Sequence, residues 1–399
     1  MAEWAQISLA RAASWHSGGT PRTSEPSFWG GDIPWISAAS LKDFYVDSSD
    51  RNVTELGAAN GTRLVPKDTV LIIVRGMSLK SELRMGITRR TVAFGQDCKA
   101  LIPAPGIHPP FLAYAIRAKT DEILALVDEA GHGTGRLQTE LIAKITIPVP
   151  ELIEEQVRAV ALLEALDDKI AVNERIAVTS RALGLTEYAL AVESGEASEA
   201  RLGAVVSLLT RGVAPKYSDD AEELTVLNQK CIRDGRIILA PSRKTLGDKV
   251  PKTKRLIPHD VLINSTGVGT LGRVARWMDS KEATVDSHVT IVRLAPEKVD
   301  LVCGGFALLR AQPEIEAMGV GSTGQTELRR SQLEDLEILL PAESRQPSLR
   351  ARLDALETRS DAALAESHTL AALRDTLLPQ LMSGKLRVRD AERIVEDAT

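Results

Sequence analysis

The residues that could do chemistry fall into two kinds, motif-like strings and clusters of positive charge. Gly267-Val-Gly-Thr-Leu-Gly272 fits G-x-G-x-x-G, with Asp286 downstream where a ribose-binding acid would stand. That motif needs a strand before it and a helix after it, so that a phosphate meets the helix N-terminus. Here Arg273-Val-Ala-Arg-Trp277 follows and alternates as a strand does, so the spacing predicts a β-hairpin. His108-Pro-Pro-Phe111 is one residue from the N/D-P-P-Y/F string of amino-group methylation. That chemistry requires a side-chain carbonyl at the first position, to accept a hydrogen bond from the target amine, and histidine has none. The prolines suit the first turn of a helix beginning near Phe111. The six histidines show neither H-x-x-x-H nor H-E-x-x-H spacing, and Cys98, Cys231 and Cys303 contain no C-x-x-C pair. There is no G-x-S-x-G elbow and no Walker loop. The chain is therefore expected to hold no catalytic residue, no metal and no cofactor of its own.

Charge carries the second signal. Net charge is −5, from 49 basic and 54 acidic residues, which taken alone speaks weakly against a nucleic-acid binder. Its distribution says more. From Arg75 to Arg90 the basic residues are Arg75, Lys80, Arg84, Arg89 and Arg90, against Glu82 alone. From Arg243 to Arg255 they are Arg243, Lys244, Lys249, Lys252, Lys254 and Arg255, against Asp248 alone. A single charge run is usually a solvated face. Two runs, one in each half of the chain, point to a shared anionic ligand, and a long regular polyanion such as duplex DNA fits two separated patches. The expected DNA-binding set is Lys80, Arg84, Arg89, Arg90, Arg243, Lys244, Lys252, Lys254 and Arg255.

The elements that must position these patches follow from periodicity. Gly133–Pro150 and Gly324–Pro341 align without gaps at a shift of 191 residues, and Pro66–Ile72 answers Pro258–Ile263 with one residue of slippage. The chain thus reads as a duplicated globular unit followed each time by a long helix. In the first helix, from Glu154 to about Leu183, Val157, Val160, Leu163, Leu166, Ile170, Asn173, Ile176 and Ala177 keep three- and four-residue spacing. In the second, Leu349, Leu353, Leu356, Ser360, Ala363, Leu370, Leu373 and Leu377 do the same. Both stripes are narrow, nearer to a coiled-coil seam than to a core-facing helix. We read the two as an antiparallel pair separating the units, with Leu163, Leu166, Ile170, Asn173, Leu353 and Leu356 in the seam and Asn173 fixing register. Expected strands are Val70–Val74, Thr91–Phe94, Ile145–Val149, Val261–Asn264, Arg273–Trp277, Val289–Leu294 and Ile338–Leu340. Phe111–Lys119 should be helical, Glu193–Glu199 a linker, and Gly131–Gly135 and Gly319–Gly324 matching turns.

Hydrophobic content of 44% and charged content of 26% are ordinary for a soluble protein of two or three domains. The N-terminus has no apolar core of signal-peptide length, and no run approaches about 18 apolar residues, so a soluble cytoplasmic protein is expected.

Several strings resemble one known family, the DNA specificity subunit of type I restriction–modification systems. Ser17-Gly-Gly-Thr-Pro21, Trp29-Gly-Gly-Asp-Ile-Pro-Trp-Ile-Ser37 and Leu41 are similar to the opening of its target-recognition domains. Ile145-Thr-Ile-Pro-Val-Pro150 with Glu154-Glu-Gln156 resembles the exit into its spacer helix, and Leu377–Val388 resembles its terminal signature. The second half departs, with Arg211-Gly-Val-Ala-Pro215 at its opening and Arg345-Gln346 in place of the E-E-Q triplet, which puts contacts at that exit in question. The resemblance implies an α/β (α+β) fold. Target-recognition domains would occupy 1–150 and 201–341, a central spacer helix and linker 151–200, a C-terminal spacer helix 342–388, and a tail 389–399. It implies a non-catalytic chain reading an asymmetric bipartite duplex DNA target. Two modification subunits would supply S-adenosylmethionine and methylate adenine, and restriction subunits would use ATP and Mg. The competing readings are a self-contained DNA adenine methyltransferase built on His108-Pro-Pro-Phe111 and a coiled-coil scaffold without a DNA role.

Overall fold

The computed structural model describes residues 4–130, 134–194, 197–319 and 327–398. The chain splits into two compact units, unit 1 from Met1–Val172 with Glu366–Thr399 and unit 2 from Asn173–Ala365. In unit 1, Val70–Ile73 is four apolar residues without alternation, all buried, as expected of a strand covered on both faces. It pairs antiparallel with Cys98–Pro103 on one side and Met85–Thr88 on the other. Ala13–Ser17 and Tyr45–Val46 complete this five-stranded sheet, and Trp29–Ile36 with Val92–Phe94 belongs to a second, four-stranded one. The helix Pro109–Arg117 starts from an extended His108 with proline in its first turn, and Phe111, Leu112, Tyr114 and Ile116 are fully buried in the unit 1 core.

Unit 2 repeats this plan. Val261–Asn264, again wholly buried, lies antiparallel between Val289–Leu294 and Val274–Arg276, and Val206–Arg211 flanks the sheet. Asp300 caps the equivalent helix Leu301–Arg310 by accepting from the Val302 and Cys303 amides. Gly267, Gly269 and Gly272 take positive φ in the turn joining Val261–Asn264 to Val274–Arg276, so the G-x-G-x-x-G string is a hairpin connection.

The glycines of the two openings serve close packing. A Cβ on Gly18 would collide with the Phe94 and Gly95 carbonyl oxygens, and one on Gly212 with those of Val285 and Asp286. Each opening is a backbone-on-backbone contact that only glycine permits.

The long helices span Ile153–Glu193 and Gln346–Met382, 41 and 37 residues. In unit 1, Val160, Leu163 and Leu166 share a core with Leu370, Leu377 and Leu381; in unit 2, Tyr188 and Val192 share one with Leu349 and Leu353. The start of one helix thus meets the end of the other, an antiparallel coiled coil. Burying each such leucine contributes about 1.5–3 kcal/mol. Asn173, Ala177, Ser180, Ser360, Ala363 and Ser367 are also buried, while Ile170 and Leu356 are half-buried. Small residues let backbones approach, and the Ser360 hydroxyl donates to the Ala177 carbonyl of the facing helix at 3.3 Å.

Four expectations need correction. The first helix continues past Leu183 to Glu193, because Gly184 packs against Phe306 and Tyr188 carries the stripe onward. The expected linker is partly a strand, Ser198–Arg201, paired antiparallel with Glu337–Leu340. The expected tail 389–399 falls largely within a helix, Val388–Ala398, whose Ala391 is fully buried in the unit 1 core. Val157, placed in the stripe, is 42% exposed. Most of the two expected glycine turns lies outside the described residues, although Gly135 sits in the short strand Thr134–Arg136.

Candidate nucleic-acid interface

The nine predicted cations separate into free and engaged groups. Lys80, Arg89, Arg90, Arg243 and Lys252 are exposed. The Arg89 guanidinium lies 3.8 Å from the Tyr45 ring centroid and that of Arg243 3.5 Å from the Tyr217 centroid, so each rests on an aromatic ring. Arg90 donates to the Asp32 carbonyl at 3.1 Å, and Arg84 pairs with Glu82. The second cluster is more occupied. Lys244 donates to the Glu223 carbonyl at 2.8 Å and Lys254 to the Gly212 carbonyl at 2.8 Å, while Arg255 pairs with Glu282 and donates to the Gly247 carbonyl at 3.1 Å. These three hold loops together, and Lys254 secures the Arg211-Gly-Val-Ala-Pro215 opening. Arg51, outside both clusters, stacks 3.7 Å over Trp29 and 5.4 Å from Trp35, which the W-G-G-D-I-P-W string places on one strand.

The seam residues are brought together as described above, and a polar hub beside them was not anticipated. Asp167 on the first long helix accepts from the Tyr114 hydroxyl at 2.7 Å, Arg117 at 3.0 Å and Arg374 at 2.6 Å. Burial, then the Asp167 charge, holds the Tyr114 phenol above its usual range, so it stays a donor. The hub joins the short helix and both long helices of unit 1. Its only sequence signal is an acid interrupting an apolar helix stripe.

Glutamine secures both exits. Fully buried Gln156 donates to the Gly106 carbonyl at 2.9 Å and the Pro150 carbonyl at 3.1 Å, and accepts from the His108 amide at 2.8 Å. Gln346 donates to the Pro341 carbonyl at 2.9 Å. The exit that lacks the E-E-Q triplet therefore keeps the glutamine's contact with the closing proline. This also accounts for His108-Pro-Pro-Phe111: the stretch is a helix start with proline in its first turn, tied to the spacer helix through the His108 amide.

The described residues contain no group of His, Cys, Asp and Glu able to hold a metal ion. Burial pushes the Cys98 and Cys303 thiols up to about 12, leaving them protonated and inert at neutral pH. No helix among the described residues is long and apolar enough to cross a membrane.

Residues 1–178 match the family described as type I restriction modification DNA specificity domain. Over 167 residues the chain is 31% identical to the specificity subunit of the type I restriction enzyme EcoR124I/EcoR124II of Escherichia coli, covering 41% of each chain. It is 29% identical over 157 residues to the MjaIX specificity subunit of Methanocaldococcus jannaschii, 38% of this chain and 35% of that one. The chain thus spans less than half the length of these two relatives. Identity of 22% over 369 residues, 82% of this chain and 76% of the other, joins it to the StySPI specificity subunit of Salmonella potsdam. In fold it is similar to the S subunit of a type I restriction–modification system from M. genitalium, with a TM-score of 0.58 at 15% identity over 95% of this chain and 96% of that one. Residues 1–178 are therefore similar to the type I restriction modification DNA specificity domain, and the chain as a whole shares the fold of the M. genitalium S subunit.

Proposed function

We propose that this chain is the sequence-reading, non-catalytic subunit of a type I restriction–modification complex, each unit reading one half of an asymmetric duplex DNA target. The observation that carries this reading is the duplication. A unit of the DNA specificity family is followed by a second with the same strand register and a divergent surface. Exposed cations in both units supply the salt-dependent attraction to phosphate, and the paired helices offer surface for two modification subunits. S-adenosylmethionine, ATP and Mg would reside on those partners and on the restriction subunits.

The chain assembled with modification subunits should enrich one bipartite sequence from a randomised duplex library. Exchanging residues 201–341 for the same unit of another family member should change one half-site and leave the other intact. Loss of selection at both half-sites in a folded chimaera would show that reading is shared between the units. The methyltransferase alternative predicts binding of S-adenosylmethionine by the isolated chain, which calorimetry decides. The His108 segment, half-buried and tied through its backbone amide to Gln156 of the spacer helix, argues against it.

A further inference from the structure

The two units share one corner of their sheets, where backbone has been kept and side chains have been replaced. In unit 1 the Leu137 amide donates to the Val74 carbonyl at 2.8 Å; in unit 2 the Leu328 amide donates to the Ser265 carbonyl at 2.9 Å. Next to these bonds Arg136 stands opposite Arg75, and Glu327 opposite Thr266. On the adjoining strands Lys99 stands opposite Ser17, and Thr290 opposite Arg211. Four equivalent positions thus hold Ser17, Arg75, Lys99 and Arg136 in one unit and Arg211, Thr266, Thr290 and Glu327 in the other.

The chemistry at the two corners differs in kind. In unit 1 the corner borders a cleft of about 350 Å³ lined by Arg75, Gln96, Lys99, Arg136 and Gln138 among others. Arg75 and Arg136 are exposed, and neither guanidinium has a hydrogen-bond or ion-pair partner among the described residues. Like charges directly opposite on antiparallel strands, with Cβ atoms about 5 Å apart, destabilise a sheet unless an acceptor lies between them. Asp97 and Glu140 also line the cleft, and Asp128 stands opposite Arg136 on its other neighbouring strand, but none of the three forms an ion pair with either arginine. In unit 2 the corner satisfies itself: Arg211 pairs with Glu327 at 2.6 Å, and the Thr266 hydroxyl lies 2.8 Å from His288 Nδ1 and accepts from Gln229 at 2.7 Å.

We infer that these four corner positions are base-reading positions, and that Arg75 and Arg136 read acceptor-rich purine edges in the half-site of unit 1. The inference rests on the DNA-reading function proposed above. Phosphate contacts carry no sequence information, so nothing requires them to differ between the units. Base-reading positions must differ when the two half-sites differ, and they must be held on a frame that does not. A guanidinium fork suits the O6 and N7 acceptors of guanine, whereas the Arg211–Glu327 pair and Thr266 of unit 2 offer mixed donors and acceptors. Gly135, beside Arg136, admits no side chain because a Cβ would sit 2.9 Å from Leu79 and 3.0 Å from Val127, so packing holds the strand that presents Arg136.

The test uses the full chain assembled with modification subunits and a randomised duplex DNA library, followed by competition with single-position variants of the enriched sequence. Arg75→Ala and Arg136→Ala should each relax discrimination at one or two adjacent positions of one half-site, roughly five- to 150-fold, and leave the other half-site unchanged. Arg75→Lys, which keeps the charge but loses the fork, should relax the same positions while keeping the salt dependence. Thr266→Ala should relax the opposite half-site. Uniform weakening of all sequences with a salt slope lowered by about one would make the arginines phosphate contacts and overturn the inference. Full discrimination with both arginines replaced, in a protein that still selects its bipartite target, would also overturn it while leaving the DNA-reading function in place. A wild-type assembly that enriches no sequence would instead sink that function.

Discussion

Unit 1 and unit 2 anchor their bodies to the long helices through an acid at the same repeat position, yet they bring the donor from different elements. Asp167 lies eleven residues after Gln156, and Glu357 eleven after Gln346. In unit 1 the donors come from the short helix, as the Tyr114 hydroxyl and Arg117. Counted from the helix caps His108 and Asp300, the unit 2 residue in the place of Tyr114 is Phe306, which has no hydroxyl. The missing donor is replaced from the sheet. Arg276, opposite Val261 as Ile87 is opposite Val70, reaches Glu357 with its side chain 2% exposed. Its guanidinium lies 5.4 Å over the Phe306 ring, and Gly305 leaves it room, since a Cβ there would fall 2.5 Å from Arg276 Nε. After duplication, the acid position constrains the fold more than the identity of its partner does. A buried charge requires donors, from whichever elements can reach it.

The largest expected effect follows from removing the unit 2 donor. Arg276→Met strands the Glu357 carboxylate and should destabilise unit 2 by about 3–5 kcal/mol. Fluorescence of Trp277, in a chain whose other tryptophans are replaced, would follow that unit alone. A loss below about 1 kcal/mol would mean that the ion pair does not anchor the unit. Next come the exits. Gln156→Ala leaves one amide and two carbonyls short of a partner and should cost about 2–3 kcal/mol, against about 1 for Gln346→Ala with its single bond. Equal urea midpoint shifts would erase that distinction. Tyr114→Phe should cost about 1.5 kcal/mol, as a lost hydrogen bond to a charged acceptor. Adding Ile87→Arg with Ala113→Gly transplants the unit 2 solution and should recover part of that loss, read as a favourable coupling of about 1 kcal/mol in a mutant cycle. Without coupling, the two donors are not interchangeable.

The smallest effect is the pH response that His259 gives unit 2. Burial, then the neighbouring Arg276 guanidinium, lowers the His259 imidazole below its ordinary value of 6.5. The unfolded chain therefore binds the proton more readily than the folded one. The stability His259 contributes is complete above pH 6.5 and is lost as pH falls from there through its lowered folded value. His259→Asn, which tolerates the φ of 72° at this position, should flatten the Trp277 unfolding midpoint over that window. A slope unchanged by the substitution would assign the response to other groups.

Much of this is legible in the sequence. Strands Val70–Ile73 and Val261–Asn264 announce themselves as unbroken apolar runs, and the seam leucines Leu163, Leu166 and Leu353 by their spacing, because burial on one face or two leaves a period in the chain. The helix Val388–Ala398 was missed because its composition is mostly charged and only Ala391 is fully buried. Arg136 was missed because it lies outside both charge runs, and it meets Arg75 only through strand pairing.

Duplication, the antiparallel helices, the hairpin glycines and the absence of catalytic spacing are local or periodic properties, and the sequence by itself determines them. Which cations are free is not of that kind. Lys244, Lys254 and Arg255 look as available as Arg89 along the chain, yet carbonyls and acids distant in sequence occupy them. Only the tertiary structure decides this, because a charge is free or bound according to what the fold brings within about 3 Å of it, and neighbours along the chain do not determine that distance.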